Sequence, residues 1–321
     1  MKLATGLFVL FGVTAAFSRP ASAQVVFPHT PAELVAMASA NEYKTNLEHR
    51  AFIRQALQYA LAREASATSK PYTTAIGSWL TASLNSDSRQ MHMFGAQLAA
   101  GTLTGPIDLY ILAGQSNMVG FTETGGYNGP DPEIRAALQA VTTGRTVVTL
   151  NCALGATSIS EWLPSKISST HVLDGKLRHS LTRECIENAR GIKDKSGRRA
   201  RIRGFFFHQG EAEVNWASYF NDPSFATQWP ARYRQVVDFF RDEFGDIPAV
   251  HAQIGPTNST DPEALGYWQM VQDAQATVTG QLSRSAMIVT KDLTTKDGVH
   301  LNDASQAIAG ARFAAAMIPL L

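Results

Sequence analysis

From Pro106 onward, short apolar runs alternate with amphipathic stretches at helical spacing, and this alternation restricts the possible architecture more than any other feature of the chain. Runs over 107–113, 146–154, 202–208, 249–254 and 286–291 read as strands, and stretches over 131–141, 176–193, 230–244, 265–282 and 304–318 read as helices. Strands alternating with helices imply a parallel sheet covered on both faces, a three-layer α/β/α sandwich of five strands. In such sheets ligands bind outside the carboxyl ends of the strands. The residues just after each run are therefore where chemistry is to be sought.

The first run ends in Gly114-Gln115-Ser116-Asn117-Met118. Glycine allows a sharp turn after the strand, which leaves Ser116 at the start of a helix where unpaired N–H groups face a reacting carbonyl. A serine hydroxyl needs an imidazole to take its proton, and the imidazole needs a carboxylate to fix its tautomer. Asp297-Gly-Val-His300, entering the last helix, supplies both at a spacing that lets the side chains meet. The triad order is Ser, Asp, His. The order is shared with α/β-hydrolases, but Met118 stands where their G-x-S-x-G elbow has its second glycine.

These residues resemble the SGNH (GDSL-like) hydrolases, within them the branch of sialate O-acetylesterases and acetylxylan esterases called carbohydrate esterase family 6. The resemblance covers about residues 106–318 in four blocks: Gly114 to Met118, Leu154-Gly-Ala-Thr-Ser-Ile-Ser-Glu-Trp162, His208-Gln-Gly-Glu-Ala-Glu213, and Asp297 to His300. A single four-residue match is weak evidence, whereas four in order at the ends of expected strands are strong. The resemblance implies a flavodoxin-like strand order 2-1-3-4-5 and Ser116 as nucleophile. It makes the Ser116 and Gly155 backbone N–H groups and the Gln209 amide oxyanion donors. Its implied activity is removal of O-acetyl groups from carbohydrate, without a cofactor. Glu213 stands where the branch commonly has Asp, and Ala156 where it often has a second Gly.

Two other readings remain open on the residues alone: a lipase or thioesterase of the broader GDSL group, and an exported carbohydrate-binding protein without turnover. The first needs an open apolar groove that nothing in the sequence signals. The intact Ser116, Asp297 and His300 argue against the second. Neighbouring His208 and Glu211 offer alternative proton carriers; Glu211 is assigned to supporting the nucleophile loop and His208 to a satisfied structural position. His29, His49, His92, His171, His179 and His251 are scattered, with no metal-ligand spacing. Trp162, Trp216, Tyr219 and Trp229 follow the second and third strands, where they either overlook Ser116 or pack within their own loops. Residues 120–132, rich in Gly and Pro, read as a rim loop.

A formal net charge of +1 gives no electrostatic case for nucleic acid or an acidic membrane. The basic run from Lys193 to Arg203 joins a helix end to a strand start, at the edge opposite the expected site, and reads as a solvated loop. Lys2, an apolar run from Leu7 to Phe17 and Ala21-Ser-Ala23 read as a signal peptide over 1–23, which predicts a periplasmic or secreted protein with no membrane anchor after cleavage. Export permits a bond between Cys152 and Cys185, the only cysteines, yet their setting reads as two buried thiols. Residues 24–105 form a separate helical region. Thr30-Pro-Ala-Glu33 has the form of a capping box, Ile53, Leu57, Ala60 and Leu61 recur at helical spacing, and further helices are expected over 72–84 and 88–100. Packing of this region against the 106–321 domain is the plain expectation; walling the cleft or oligomerisation are the others.

Overall fold

A computed structural model of the chain describes residues 29–41, 67–83, 88–120, 129–163, 181–278 and 280–321, together with 52, 56, 57, 59–61, 63 and 64. The expected signal segment, Ile53, His49, His171, His179, most of the rim loop and the start of the expected 176–193 helix lie outside them.

Five strands form one parallel sheet: β1 (Ile107–Gly114), β2 (Thr146–Asn151), β3 (Arg201–His208), β4 (Ala249–Ala252) and β5 (Ser285–Ile288). Their order is β2-β1-β3-β4-β5, as the resemblance implied. In chain order the helices are α1 (Pro31–Asn41), α2 (Pro71–Ser83), α3 (Ser88–Thr102), the short α4 (Ser116–Val119), α5 (Asp131–Val141), α6 (Leu181–Gly191), α7 (Glu211–Phe220), α8 (Ser224–Thr227), α9 (Trp229–Phe244), α10 (Pro262–Val278) and α11 (Asp303–Met317).

Every residue of β1 is buried, as the central strand of a doubly covered sheet must be. Its side chains alternate between two cores. Leu109, Ile111 and Ala113 join Phe205 and Phe207 of β3 in packing on α6 and α9 through Cys185, Ile186, Val236 and Phe240. Tyr110 and Leu112 join Phe206 on the other face, against Ile134 of α5 and Phe313 and Met317 of α11. This period of two sets which way each strand end points.

The strands β2, β4 and β5 stop earlier than the apolar runs that mark them. Past Asn151 the chain still follows β1, since Cys152 N donates to Leu112 O at 2.7 Å and Leu154 N to Gly114 O at 3.0 Å. The Asn151 side chain accepts from Ala153 N at 3.0 Å and bends the backbone out of regular strand. The cysteines are not the two free thiols expected. Cys152 and Cys185 form a disulfide with a Cα separation of 5.7 Å, because the α6 face that carries Cys185 lies directly on the end of β2.

The Thr30 capping box is present: Glu33 N donates to Thr30 Oγ1 at 3.3 Å and Thr30 N to Glu33 Oε2 at 2.9 Å. A small separate core gathers Leu34, Phe52, Leu57, Tyr72, Ile76 and Trp79. The N-terminal region also packs on the sheet domain, since Met93, Ala96 and Ala100 of α3 enter the α6–α9 core and Gln97 Nε2 donates to Asn188 Oδ1 at 2.9 Å.

Candidate active site

Gly114 ends β1 with φ 128°, and a Cβ there would stand 2.1 Å from the His208 carbonyl oxygen. Only glycine lets β1 and β3 close this tightly while the chain turns. Gln115 N then donates to that same oxygen at 2.8 Å, and Ser116 begins α4. The Gln115 side chain turns inward, where its Oε1 accepts from Gly210 N at 3.3 Å and Ala212 N at 3.2 Å. The serine turn is thereby fastened to the start of α7.

Asn117 fastens it to the opposite side. Its Nδ2 donates to Val299 O at 3.1 Å, and its Oδ1 accepts from Leu301 N at 2.9 Å. His300 lies between those two bonded residues, so one amide holds the imidazole loop against the residue after Ser116. The loop is rigid on its own account. Asp297 Oδ1 accepts from Val299 N at 3.1 Å and His300 N at 2.8 Å, while Oδ2 meets His300 Nδ1 at 2.7 Å. Burial works against the Asp297 charge, but these bonds from His300 and Val299 and the nearby imidazole outweigh it, and the carboxyl is held down to about 2. It is an anion at every working pH. Gly298, at φ 87°, leaves room for Asn258, whose N–H donates to Gly298 O at 3.2 Å; a Cβ would overlap that side chain.

The glycine block arrives beside β1, with Leu154 docked on Gly114 and Gly155 next in the chain. Ala156 then adopts φ 58°, the left-handed region, which accounts for the family's glycine there. Ser158 caps the following 3₁₀ turn reciprocally with Glu161.

The third block departs from expectation at Gln209 and His208. Trp229 Nε1 donates to Gln209 Oε1 at 2.8 Å, which fixes the orientation of that amide because an indole nitrogen can only donate. The Gln209 Nε2 hydrogens then face Glu213, Thr157 O at 3.1 Å and Gln115 Oε1 at 3.3 Å. The expected third oxyanion donor is thus turned into the core, committed to holding three loops together. Glu211, assigned to supporting the nucleophile loop, meets that loop at the Asn117 side chain, where its Oε1 accepts from Asn117 Nδ2 at 2.6 Å. Burial raises the Glu211 carboxyl, while the Asn117 bond, its own N–H and the His300 charge pull the other way. His208 is buried but not satisfied. Neither ring nitrogen has a hydrogen-bond partner among the described residues, Glu211 Oε1 lies 4.0 Å away, and burial drives the imidazole down to about 3 and so keeps it neutral.

Glu213 bridges two blocks. It accepts from Ile159 N at 2.7 Å and from Gln209, and its burial pushes the carboxyl up to about 8 despite those bonds and the Arg232 charge. Trp162 and Trp229 are fully buried and pack in the core, whereas Trp216 and Tyr219 border a cleft of about 310 Å³ with Gln115, Ala156, Ala212 and Asn215. The basic run sits at the other end of the sheet, where Arg201 and Arg203, with Arg145, surround the Asp108 carboxylate at 3.1, 3.7 and 2.5 Å. Asn117, Gln115 and Asn258 were not anticipated as site residues. The first two had a legible signal, as amide side chains directly flanking the serine.

A flavodoxin-ordered parallel sheet, with a serine turn after β1 and an Asp–His pair before the last helix, has the three-layer α/β/α arrangement of SGNH-like esterases. Residues 129–319 match the family described as carbohydrate esterase, sialic acid-specific acetylesterase; the chain belongs to that family and is a carbohydrate O-acetylesterase. The matched span holds the second, third and fourth blocks, and the serine turn lies upstream of it. Among solved structures, a protein from Arabidopsis thaliana is similar at TM-score 0.51 and 17% identity, over 67% of this chain and 98% of that one. A carbohydrate acetylesterase from Xanthomonas citri is similar at TM-score 0.50 and 16% identity, over 65% of this chain and 55% of the other. At these identities the likeness concerns the fold. A search of the curated proteins returned no match.

Proposed function

We propose that Ser116, His300 and Asp297 remove O-acetyl groups from carbohydrate through an acyl-serine intermediate. The observation that carries this reading is the Asn117 amide bonded on both sides of His300, which joins the imidazole loop to the serine turn. With Nδ1 donating to the Asp297 carboxylate, the basic nitrogen of neutral His300 is Nε2. Nε2 takes the Ser116 proton as Oγ bonds to the ester carbonyl. It returns that proton to the sugar oxygen as the C–O bond breaks, then activates water to release acetate. Asp297 stays ionised and steadies the imidazolium. The oxyanion is assigned to the backbone N–H groups of Ser116 and Gly155, each such donor being worth ~10²- to 10³-fold in rate. Gln209 and Glu213 keep those two turns in register, and Glu211 orients Asn117.

The protein is further proposed to be exported. The leader pattern over 1–23 and the Cys152–Cys185 disulfide both support an oxidising compartment. No helix among the described residues is long and apolar enough to cross a membrane.

The test is acetate release from acetylated xylan, O-acetylated sialic acid and 4-nitrophenyl acetate by the wild type and by Ser116→Ala. Release from at least one sugar by the wild type, falling by at least ~10³-fold in the variant, is expected. Undiminished release by Ser116→Ala would sink the mechanism.

A further inference from the structure

Along α7, residues Ala212, Asn215, Trp216 and Tyr219 follow the i, i+3, i+4, i+7 spacing of one helical face, and all four line the cleft. The same cleft is lined by Gln115, which precedes Ser116, and Ala156, which follows Gly155. The helix is anchored there, since Ala212 N donates to Gln115 Oε1 at 3.2 Å. From Ala212 to Tyr219 the face extends about 10 Å at 1.5 Å per residue, far more than a two-carbon acyl group needs.

At its outer end Tyr219 is 78% exposed and Phe220 56% exposed. Single exposed aromatics are ordinary, but two rings bordering one cleft, as Trp216 and Tyr219 do, are the kind of surface that marks a ligand. Tyr219 is nevertheless positioned. Its ring stands edge-on to Phe220 at 4.9 Å and to Trp216 at 6.3 Å, and Phe220 is itself stacked between Trp216 and Phe225, each at 5.7 Å. These contacts hold an exposed ring in place before any ligand arrives, which reduces the ordering cost of binding. Beside it, Asn215 presents an exposed amide with both donors and an acceptor.

An apolar ring face next to a polar amide suits a pyranose, whose C–H face is apolar and whose rim carries hydroxyls. We propose that Tyr219, with Trp216 and Asn215, forms the subsite that receives the sugar ring bearing the acetyl group, so that Tyr219 governs preference for carbohydrate over simple esters. The proposal rests on the carbohydrate esterase reading above. Tyr219 acts in binding and takes no part in proton transfer.

The experiment compares kcat/KM for acetylated xylan and O-acetylated sialic acid with that for vinyl acetate, which has the acyl group but no ring, in wild type, Tyr219→Ala and Tyr219→Phe. The sugar-to-vinyl ratio is expected to fall about tenfold in Tyr219→Ala, mainly through KM, and to persist in Tyr219→Phe, which keeps the ring face. An unchanged ratio in Tyr219→Ala overturns the subsite while leaving the esterase reading intact. An unchanged ratio accompanied by loss of a dimer in sedimentation assigns the patch to a second copy and equally overturns it. A wild type that cleaves vinyl acetate but neither sugar ester overturns the carbohydrate reading and the subsite together.

Discussion

Asn117 shows how much one amide can organise: it accepts from Leu301 N, donates to Val299 O and to Glu211, and stands next to Ser116. Asn117→Ala is expected to lower kcat on 4-nitrophenyl acetate by ~10²-fold with little change in KM, because the imidazole loop loses its registration on the serine. A rise in KM with kcat preserved would contradict that role. Ala156 gives a prediction of opposite sign. At φ 58° an alanine is strained by roughly 1–2 kcal/mol, part of which glycine recovers after its larger unfolded-state entropy is counted. Ala156→Gly should raise Tm by about 2 °C, and a lower Tm would refute the strain. At this scale the proposed triad was chosen from residue chemistry and spacing, and the Asp297–His300 contact is the part of it seen as a hydrogen bond. The Gln209 orientation was not legible, because it depends on the indole of Trp229, twenty residues further along the chain.

Among elements, the third block and the glycine turn are coupled through a buried acid. The Glu213 carboxyl is held up near 8 against an unfolded value near 4.5, so the folded state binds the extra proton between those values. Its contribution to stability is complete below about pH 4.5 and is lost as pH rises through about 8. Glu213→Gln should flatten the fall in Tm between pH 5 and pH 8.5, and an identical slope in both proteins would contradict the assignment. The disulfide links β2 to α6 across 33 residues, a span that includes Gly155. Loop entropy for that length predicts a loss of roughly 4 kcal/mol when both cysteines become alanine, readable in denaturant unfolding. The pair was not legible in the sequence. Expected strand and helix faces placed both sulfurs in the core, but whether they meet depends on how α6 lies across the sheet, a tertiary distance that periodicity does not contain. The strands and the long covering helices, by contrast, followed directly from alternation, with errors at ends such as Asn151, where a side chain competes for the backbone; α7 was not expected, its aromatic residues having been read as loop.

For the molecule as a whole, the sheet separates two surfaces of different chemistry. Its carboxyl edge carries Ser116, Gly155 and the Asp297–His300 pair, with an aromatic-bordered cleft beginning at Gln115 and Ala156, while its amino edge carries the arginines around Asp108. The N-terminal helices add a second small core and cover part of one sheet face through α3, away from the residues that line the cleft. The contribution of α3 there is read as stability. The central claim is that Ser116 is the nucleophile made reactive by His300. A fluorophosphonate probe followed by peptide mass spectrometry tests it most directly, since the probe phosphonylates only an activated serine. The account predicts one adduct, on Ser116, greatly slowed in His300→Ala; an adduct on another serine, or undiminished labelling in His300→Ala, would contradict it.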